Sequence, residues 1–588
     1  MTLPAQTIQA IAVSPGIAIG RVARVRGSNH LQEPNPHKIT DDEINGELTR
    51  FIAALVETRK QLVELQDQVR DRLNSRDADI FEAHIMLVDD RTLLNEVEKR
   101  IKGEHVTAEY ALFEATERFT AVFNGMQDEY LKERAADIRD VAARITANLN
   151  DDPHHDMELD DRRIIIATTL APSETAQLDR SKVLGFAVET GSATSHTAIL
   201  ARAMKLPAVV GIPPELPETL TADDKLIIDG YTGKVIINPD GRTEEAYRLK
   251  AQAAGELLNE LERENSLRPE TTDGFMVQLA ANLDSPETVG DVKKSGACGI
   301  GLFRTEYLFM NTSQLPTEEE QFEVYKELLV KIGEQPVIIR TLDVGGDKFN
   351  TNIFRATEQN PFLGLRGIRL CLHERRDIFS TQLRALLRAG VYGNLRVMLP
   401  MVSSIREVNE VKQLVGELQE QLRREKLEFV SHLPLGVMIE TPAAAILADR
   451  LAPLVDFFSI GTNDLVQYTM AIDRGNERVA YLYRPSHPAI LELIRRTVEA
   501  ARHNNIWVSI CGQMASEPSL VPLLVGLGVH ELSMAPSSIG MVRRVIRGLA
   551  MHEAEEAARQ ALACSNASDA LAISEALLRK SAPEIANI

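Results

Sequence analysis

The stretch Thr190-Gly191-Ser192-Ala193-Thr194-Ser195-His196-Thr197-Ala198-Ile199-Leu200-Ala201-Arg202 sets a histidine where a strand gives way to a helix. Strand formers run from Val183 to Glu189, small residues make a turn, and a helical pattern begins near Ser195 and continues to about Met204. His196 therefore falls in the first turn of a helix. Free backbone N–H groups and the positive end of the dipole gather there, and together they hold a phosphate well. The same field disfavours imidazolium, which keeps the ring a neutral nucleophile near pH 7. This is the chemistry of a phosphohistidine. The plainer alternative is a surface histidine beside a helix cap, because so short a motif is often matched by chance.

A second set of residues suits anion binding. Arg304, Arg340 and Arg366 follow short apolar runs or lie in the loops after them, and Arg474 follows a later run. The guanidinium is a planar, permanently charged fork that fits phosphate and carboxylate. One such arginine is commonly a surface ion pair; several on one face of an acidic protein imply a small polyanionic substrate. Glu440 and Asp464 end neighbouring runs. They could act as general acid and base or bind a divalent ion, and few protein oxygens beside a phosphate favour Mg²⁺. Cys511 ends a further run and could be a nucleophile, a proton donor or an inert buried thiol. A phosphoryl acceptor in one domain and a phosphate- and Mg²⁺-binding site in another imply transfer between them, which requires the histidine domain to swivel.

The elements that must position these groups follow from hydrophobic period. Residues 1–35 are short Val- and Ile-rich pieces broken by Gly and Pro. Thr40 with Glu43 makes a capping box. Apolar residues then recur at Ile44, Leu48, Phe51, Leu55, Leu62, Leu65, Val69 and Leu73, which predicts a long amphipathic helix. Helical patterns persist to about Asn150. Strands return at Ile164–Ala167, Val183–Val188 and Ala208–Gly211, with a hairpin over Leu226–Asn238. Residues 1–35 and 153–241 thus read as an α/β domain carrying His196, and 36–152 as a helical subdomain inserted into it. Residues 242–268 read as a connecting helix, since Gly and Pro are scarce there.

From 269 to 588 eight short apolar runs alternate mostly with helical stretches: Met276–Leu283, Gly299–Arg304, Pro336–Val344, Leu395–Val402, Leu435–Glu440, Val455–Asn463, Trp507–Gln513 and Glu531–Pro536. This pattern predicts a (β/α)₈ barrel, whose site lies at the C-terminal ends of the strands. Those ends carry Asn282, Arg304, Arg340 with Asp343, Glu440, Asn463 with Asp464, and Cys511.

The length of 588 residues allows three or four domains. A formal net charge of −20 argues against non-specific nucleic-acid binding. Four cysteines without metal-ligand spacing suit a reducing cytoplasm. The start of the chain lacks the basic-then-apolar pattern of a signal peptide, and no apolar run reaches the ~20 residues that span a bilayer. A cytoplasmic protein without membrane insertion is expected.

Longer segments carry a resemblance. They include Phe81-Glu82-Ala83-His84-Ile85-Met86-Leu87, Asp128-Glu129-Tyr130-Leu131-Lys132-Glu133-Arg134-Ala135-Ala136-Asp137, Pro172-Ser173-Glu174-Thr175-Ala176-Gln177-Leu178, Gly301-Leu302-Phe303-Arg304-Thr305-Glu306, Gly345-Gly346-Asp347-Lys348, Glu440-Thr441-Pro442-Ala443-Ala444, Ser459-Ile460-Gly461-Thr462-Asn463-Asp464-Leu465 and Asp473-Arg474-Gly475-Asn476. With these the chain resembles, over nearly its whole length, enzyme I of the bacterial phosphotransferase system. The resemblance implies that His196 is phosphorylated on Nε2 by phosphoenolpyruvate and passes the group to the carrier protein HPr, the first step of sugar phosphotransferase transport. It implies that Arg304, Arg340 and Arg474 bind substrate with Asn463 and Lys348, that Glu440 and Asp464 hold Mg²⁺, and that Asp464 also lies at the substrate. It further implies that Cys511 protonates the enolpyruvate carbon, that Thr175 orients the histidine, and that His84, Met86 and Leu87 belong to the HPr-docking surface. A homodimer through the C-terminal domain is implied as well.

Two departures from that pattern stand out. Ser192 and Ala193 stand where the family usually has Gly and Arg, which removes a cation beside the phosphoryl acceptor. Gln513 stands where a Glu is common, which should lower the Cys511 pKa. Among alternatives, the related dikinases need a large nucleotide-binding domain for which no residues are spare. A nitrogen-branch paralogue acting on another carrier is expected to bear an N-terminal sensory domain. A non-catalytic HPr-binding scaffold would not need Arg304, Arg340, Glu440, Asp464 and Cys511 together.

Overall fold

The computed structural model describes residues 5–25, 34, 37–72, 81, 84–124, 129–150, 159, 161–170, 178–190, 196–309, 314–345, 360–474, 476 and 478–587. The chain divides into two compact units, Met1–Glu256 and Leu257–Ile588.

In the first unit eight strands form one sheet: β1 (Gln6–Gln9), β2 (Ile11–Ser14), β3 (Ile17–Arg24), β4 (Arg163–Ala167), β5 (Val183–Val188), β6 (Ala208–Val210), β7 (Lys225–Asp229) and β8 (Lys234–Ile237). Their order is β1-β8-β7-β3-β4-β5-β6-β2, so β1 and β2, separated by Ala10 alone, lie at opposite ends of it. β3, β4, β5 and β6 run parallel, whereas β1, β7 and β8 pair antiparallel. Ile164–Ala167 of β4 and Val183–Val188 of β5 carry no polar side chain because both faces are covered. Ile164 and Ile166 face one core with Val22, Leu226 and Ile228. Ile165 and Ala167 face the other with Phe186, Val188, Ala198 and Ala201. The β7–β8 hairpin turns where Asp229 Oδ1 accepts from the N–H groups of Tyr231 and Thr232, and Gly233 takes a φ of +75°.

Between β3 and β4 the chain builds four described helices, Ile44–Arg72, Arg91–Glu104, Ala108–Asn124 and Glu129–Leu149. The capping interaction forms: Glu43 Oε2 accepts from the Thr40 N–H at 2.7 Å and from its hydroxyl at 2.9 Å. The heptad-like positions Phe51, Leu62 and Leu65 are buried with Val97, Ile101, Leu112 and Ile145. The side chains of Val69 and Leu73 lie outside the described residues.

A 23-residue helix, Gly241–Arg263, follows the sheet. It ends short of residue 268 because a 3₁₀ turn, Glu264–Ser266, closes it. Its last turns belong to the second unit, where Leu257 and Leu261 join the core.

The second unit is a closed, all-parallel barrel of β9 (Gln278–Leu283), β10 (Ile300–Phe303), β11 (Val337–Arg340), β12 (Leu395–Leu399), β13 (Leu435–Ile439), β14 (Phe457–Ile460), β15 (Trp507–Ile510) and β16 (Glu531–Met534). All eight expected runs contain a strand, and the fold class is the one the sequence implies. Several strands stop before their apolar runs do. Asn463 and Asp464 sit in the first turns of the helix Thr462–Met470 rather than on a strand end. The apolar run hid that boundary because the strand and the helix after it are both buried. Inside the barrel Leu302, Ile338, Met398, Met438, Phe457 and Cys511 pack together, with Trp507 against them.

Candidate functional site

β5 leads to a helix that begins at His196 and ends at Ala203, so the histidine is its first residue. The start of that helix is tied down: Thr197 donates its hydroxyl to the Leu170 carbonyl at 3.3 Å, and Thr190 donates to that of Thr168 at 2.9 Å. Residues 191–195 and Thr175 lie outside the described residues, as does Lys348.

In the helical subdomain His84 is fully buried. Its Nε2 lies 3.3 Å from Asp137 Oδ1 and its Nδ1 lies 3.6 Å from Asp140 Oδ2. The sequence reading placed His84 on a docking surface; here two carboxylates on another helix draw it inward. Met86 is 68% exposed and Leu87 is partly buried.

At the C-terminal end of the barrel, Arg340 closes β11, Glu440 follows β13 and Cys511 follows β15. Arg340 reaches Glu306 Oε1 at 2.7 Å and Asp343 Oδ2 at 2.8 Å. Arg366 bridges two carboxylates. Nε and Nη2 donate to Asp343 at 2.9 and 3.0 Å, while Nη1 and Nη2 donate to Asp464 at 3.1 Å each. Nη1 also donates to Tyr468 Oη at 3.1 Å. Asp464 and Tyr468 stand four residues apart on one helix face, a spacing that could have flagged Tyr468 in the sequence. Burial opposes charge on both guanidiniums, but the surrounding carboxylates hold them protonated.

Glu440 is fully buried. Its Oε1 accepts from the Met401 N–H at 2.6 Å, and its Oε2 has no hydrogen-bond partner. Burial, then the charges of Asp343 and Asp464, push its carboxyl up to about 8. Two guanidiniums, Arg340 and Arg366, thus face four carboxylates, Glu306, Asp343, Glu440 and Asp464. The site is short of positive charge and has an orphan buried oxygen. Glu440 and Asp464 could hold a divalent cation, which would supply both needs, with the remaining ligands from water and a substrate phosphate. No cluster of three or more His, Cys, Asp or Glu suited to a metal exists among the described residues.

Arg304 is half exposed and pairs with Asp284 at 2.6 Å. Arg474 is exposed, with its N–H held by Gln467 Oε1 at 3.2 Å. Asn463 Oδ1 accepts from the Gln513 N–H at 2.9 Å, which joins the loop after β15 to the helix after β14. Burial pushes the Cys511 thiol up to about 11, although the nearby Ser459 pulls it down. The thiol is therefore protonated at neutral pH. The Gln513 side chain is exposed, and burial is the largest influence on the thiol.

Barrel, buried arginines and clustered carboxylates define a site for a small phosphorylated acid, and family comparison agrees. Residues 259–551 match the family described as PEP-utilising enzyme, PEP-binding domain; residues 159–233 match the mobile domain and residues 9–134 the N-terminal domain of PEP-utilising enzymes. The chain is 44% identical over 557 residues to the phosphoenolpyruvate-protein phosphotransferase of Bacillus sp. (strain S), covering 93% of this chain and 94% of that protein. Identity is 45% to the protein of that name from Geobacillus stearothermophilus, with the same coverage. It is 42% to that from Staphylococcus aureus, covering 95% of this chain and 97% of that protein. The chain belongs to the family of phosphoenolpyruvate-protein phosphotransferases, and it is an enzyme. The family works with a divalent metal ion. No described helix is long and apolar enough to cross a membrane.

Proposed function

We propose that the barrel mouth binds phosphoenolpyruvate and that His196 takes its phosphoryl group, releases pyruvate and passes the group to an HPr-type phosphocarrier protein. The observation that carries this reading is the convergence of Arg340, Arg366, Glu440, Asp464 and Cys511 at one end of the barrel. Arg340 and Arg366 are fixed by their carboxylate partners before substrate arrives. They supply preorganised positive charge to the phosphate and carboxylate with little reorganisation. Arg304 and Arg474, more exposed at the rim, close on the anion from outside, with Asn463 and Lys348 assisting. Mg²⁺ on Glu440 and Asp464 would neutralise phosphate charge when bound. Departure of the phosphoryl group leaves the enolate of pyruvate. The Cys511 thiol is kept loaded by burial and donates its proton to C3.

His196 sits at a helix N-terminus, where the backbone N–H groups receive the transferred group, and Thr175 orients its ring. Met86 and Leu87 present apolar surface for the carrier; buried His84 supports them through Asp137 and Asp140. The enzyme works as a cytoplasmic homodimer through the barrel domain. Incubation with phosphate-labelled phosphoenolpyruvate and Mg²⁺ should give acid-labile, base-stable label on the chain and release pyruvate. Label that persists in His196→Ala would refute the assignment.

A further inference from the structure

One buried acid of the barrel has no part in the mechanism above. Glu531, the first residue of β16, is 2% exposed, and its Oε1 has no hydrogen-bond partner. It points into the barrel. A Cβ on Gly301 of β10 would lie 2.8 Å from Glu531 Oε1 and 2.3 Å from Ser533 Oγ. β9 stands between β16 and β10 in the barrel wall, so these atoms reach Gly301 across the interior. Gly301 has to be glycine because the acid and the hydroxyl fill the space a side chain would take.

The acid lies in register with a row of hydroxyls. Ser459 of β14 is opposite Ser509 of β15, and Ser509 is opposite Glu531. The Ser509 and Ser459 hydroxyls are 2.9 Å apart and hydrogen-bonded. Cys511 lies two residues beyond Ser509, so its thiol faces the same interior as the Ser509 and Ser459 hydroxyls, and its Sγ donates to the Ile460 carbonyl at 3.7 Å. A second polar branch reaches the same level. Ser533 donates to Asn282 Oδ1 at 2.5 Å, and Asn282 Nδ2 donates to the Cys511 carbonyl at 3.0 Å. A barrel interior is usually filled by branched apolar side chains. A line of small hydroxyls from an unpaired acid to the thiol calls for a different reason.

We propose that Glu531 reloads Cys511 with a proton through the hydroxyls of Ser509 and Ser459. This rests on the reading of Cys511 as the proton donor. When the thiol proton forms the new C–H bond of pyruvate, Sγ is left as a thiolate. Ser459 gives its proton to Sγ and takes one from Ser509, and Ser509 takes the carboxyl proton of Glu531. A hydroxyl both donates and accepts, so each serine ends as it began. Glu531 is left ionised and regains a proton from water at the far end of the barrel, where Arg396 and Trp507 are partly exposed. The net change is one solvent proton delivered to the product carbon.

The charge on Glu531 fits that task. Burial pushes its carboxyl up to about 8, against the pull of the Arg396 guanidinium, so it holds a proton at neutral pH. Cys298, just before β10, is the other titratable group that senses it, and burial followed by Glu531 keeps that thiol protonated.

The test uses the full-length chain with phosphoenolpyruvate, Mg²⁺ and an excess of an HPr-type carrier. Pyruvate is followed by rapid quench through the first and later turnovers. Iodoacetamide pulses after the first turnover, read by mass spectrometry, report Cys511 thiolate. Glu531→Gln preserves the shape of the neutral acid but cannot donate a carboxyl proton, and Ser509→Ala breaks the row at its middle. Each should release the first pyruvate within about twofold of the unaltered enzyme, because the thiol starts loaded. Later turnovers should slow about tenfold or more, and the alkylatable thiolate should persist. Cys511→Ala should slow the first turnover itself. If it does not, the reading of Cys511 fails. If it does, while Glu531→Gln and Ser509→Ala match the unaltered enzyme in later turnovers and in thiolate lifetime, the relay is overturned.

Discussion

A carboxyl that stays protonated when folded leaves a mark on stability. The unfolded chain releases the Glu531 proton near the ordinary value of 4.5, and the folded barrel holds it to about 8. Between those values the native state binds more protons than the unfolded state, so stability falls as pH rises. The contribution is fully present below about 4.5 and lost above about 8. Each unit of the window is worth about 1.4 kcal/mol, an upper bound of roughly 5 kcal/mol over the whole of it. Glu440 adds a slope of the same sign, but it cancels in the difference between the unaltered chain and Glu531→Gln. The assay is urea unfolding from pH 5 to 9, followed by tryptophan fluorescence. The chain's single tryptophan, Trp507, opens β15 and packs against Phe457 inside the barrel, so it reports this unit alone. Glu531→Gln should gain on the unaltered chain with increasing pH across the window and level off above about 8. Parallel curves would refute the claim that Glu531 is neutral in the folded state.

Four further outcomes follow from the site. Arg366→Met removes the guanidinium that bridges Asp343 and Asp464 in the barrel mouth and should cost about 3–5 kcal/mol by urea unfolding of the barrel, part of it recovered when Asp343→Asn is added. Cys511 in the resting enzyme should resist iodoacetamide at pH 7 and react faster as pH approaches about 11, provided the labelling is done below the pH that unfolds the barrel. Gly512→Ala would put a Cβ 2.0 Å from Thr462 Oγ1 and 2.7 Å from its backbone nitrogen. It should push apart the segments carrying Cys511 and Asp464 and lose about 1–3 kcal/mol, with kcat falling more than KM rises. Mg²⁺ binding near pH 7 should release close to one proton, measured calorimetrically in buffers of different ionisation enthalpy, and Glu440→Gln should abolish that release.

The barrel was legible because its strands are covered on both faces. Runs such as Val337–Ile339 and Leu435–Ile439 carry no polar side chain and stand out without an alternating pattern. The arginines and carboxylates that gather at the barrel mouth could be picked out in the sequence, because the chemistry of phosphate binding calls for those residue types. Their pairing was not. Arg366 meets Asp464 across 98 residues, and spacing in sequence says nothing about which carboxylate a guanidinium will find. His84 shows the converse. A polar residue in a helix beside exposed Met86 reads as surface until its two carboxylate partners, on a different helix, are placed. The row Ser459, Ser509 and Glu531 stayed hidden for the same reason, since only the strand register brings it together.

Burial raises the pKa of Cys511, Glu440 and Glu531 alike, yet the three groups do not do the same work. The difference lies in what stands next to each. Glu440 faces Asp343, Asp464 and two arginines at the open mouth, where an arriving cation can displace its proton. Cys511 has the Ile460 carbonyl beside it, and in the proposed mechanism its proton leaves only when a stronger base, the product enolate, is made in front of it. Glu531 lies deeper, with a distant arginine and no partner on Oε1, where it can hold a proton without competing for substrate. Under the proposed mechanism a single physical effect, loss of solvation, thus gives a ligand that must discharge, an acid that must stay loaded and a reserve behind it. The neighbours supplied by β13, β15 and β16 determine which is which.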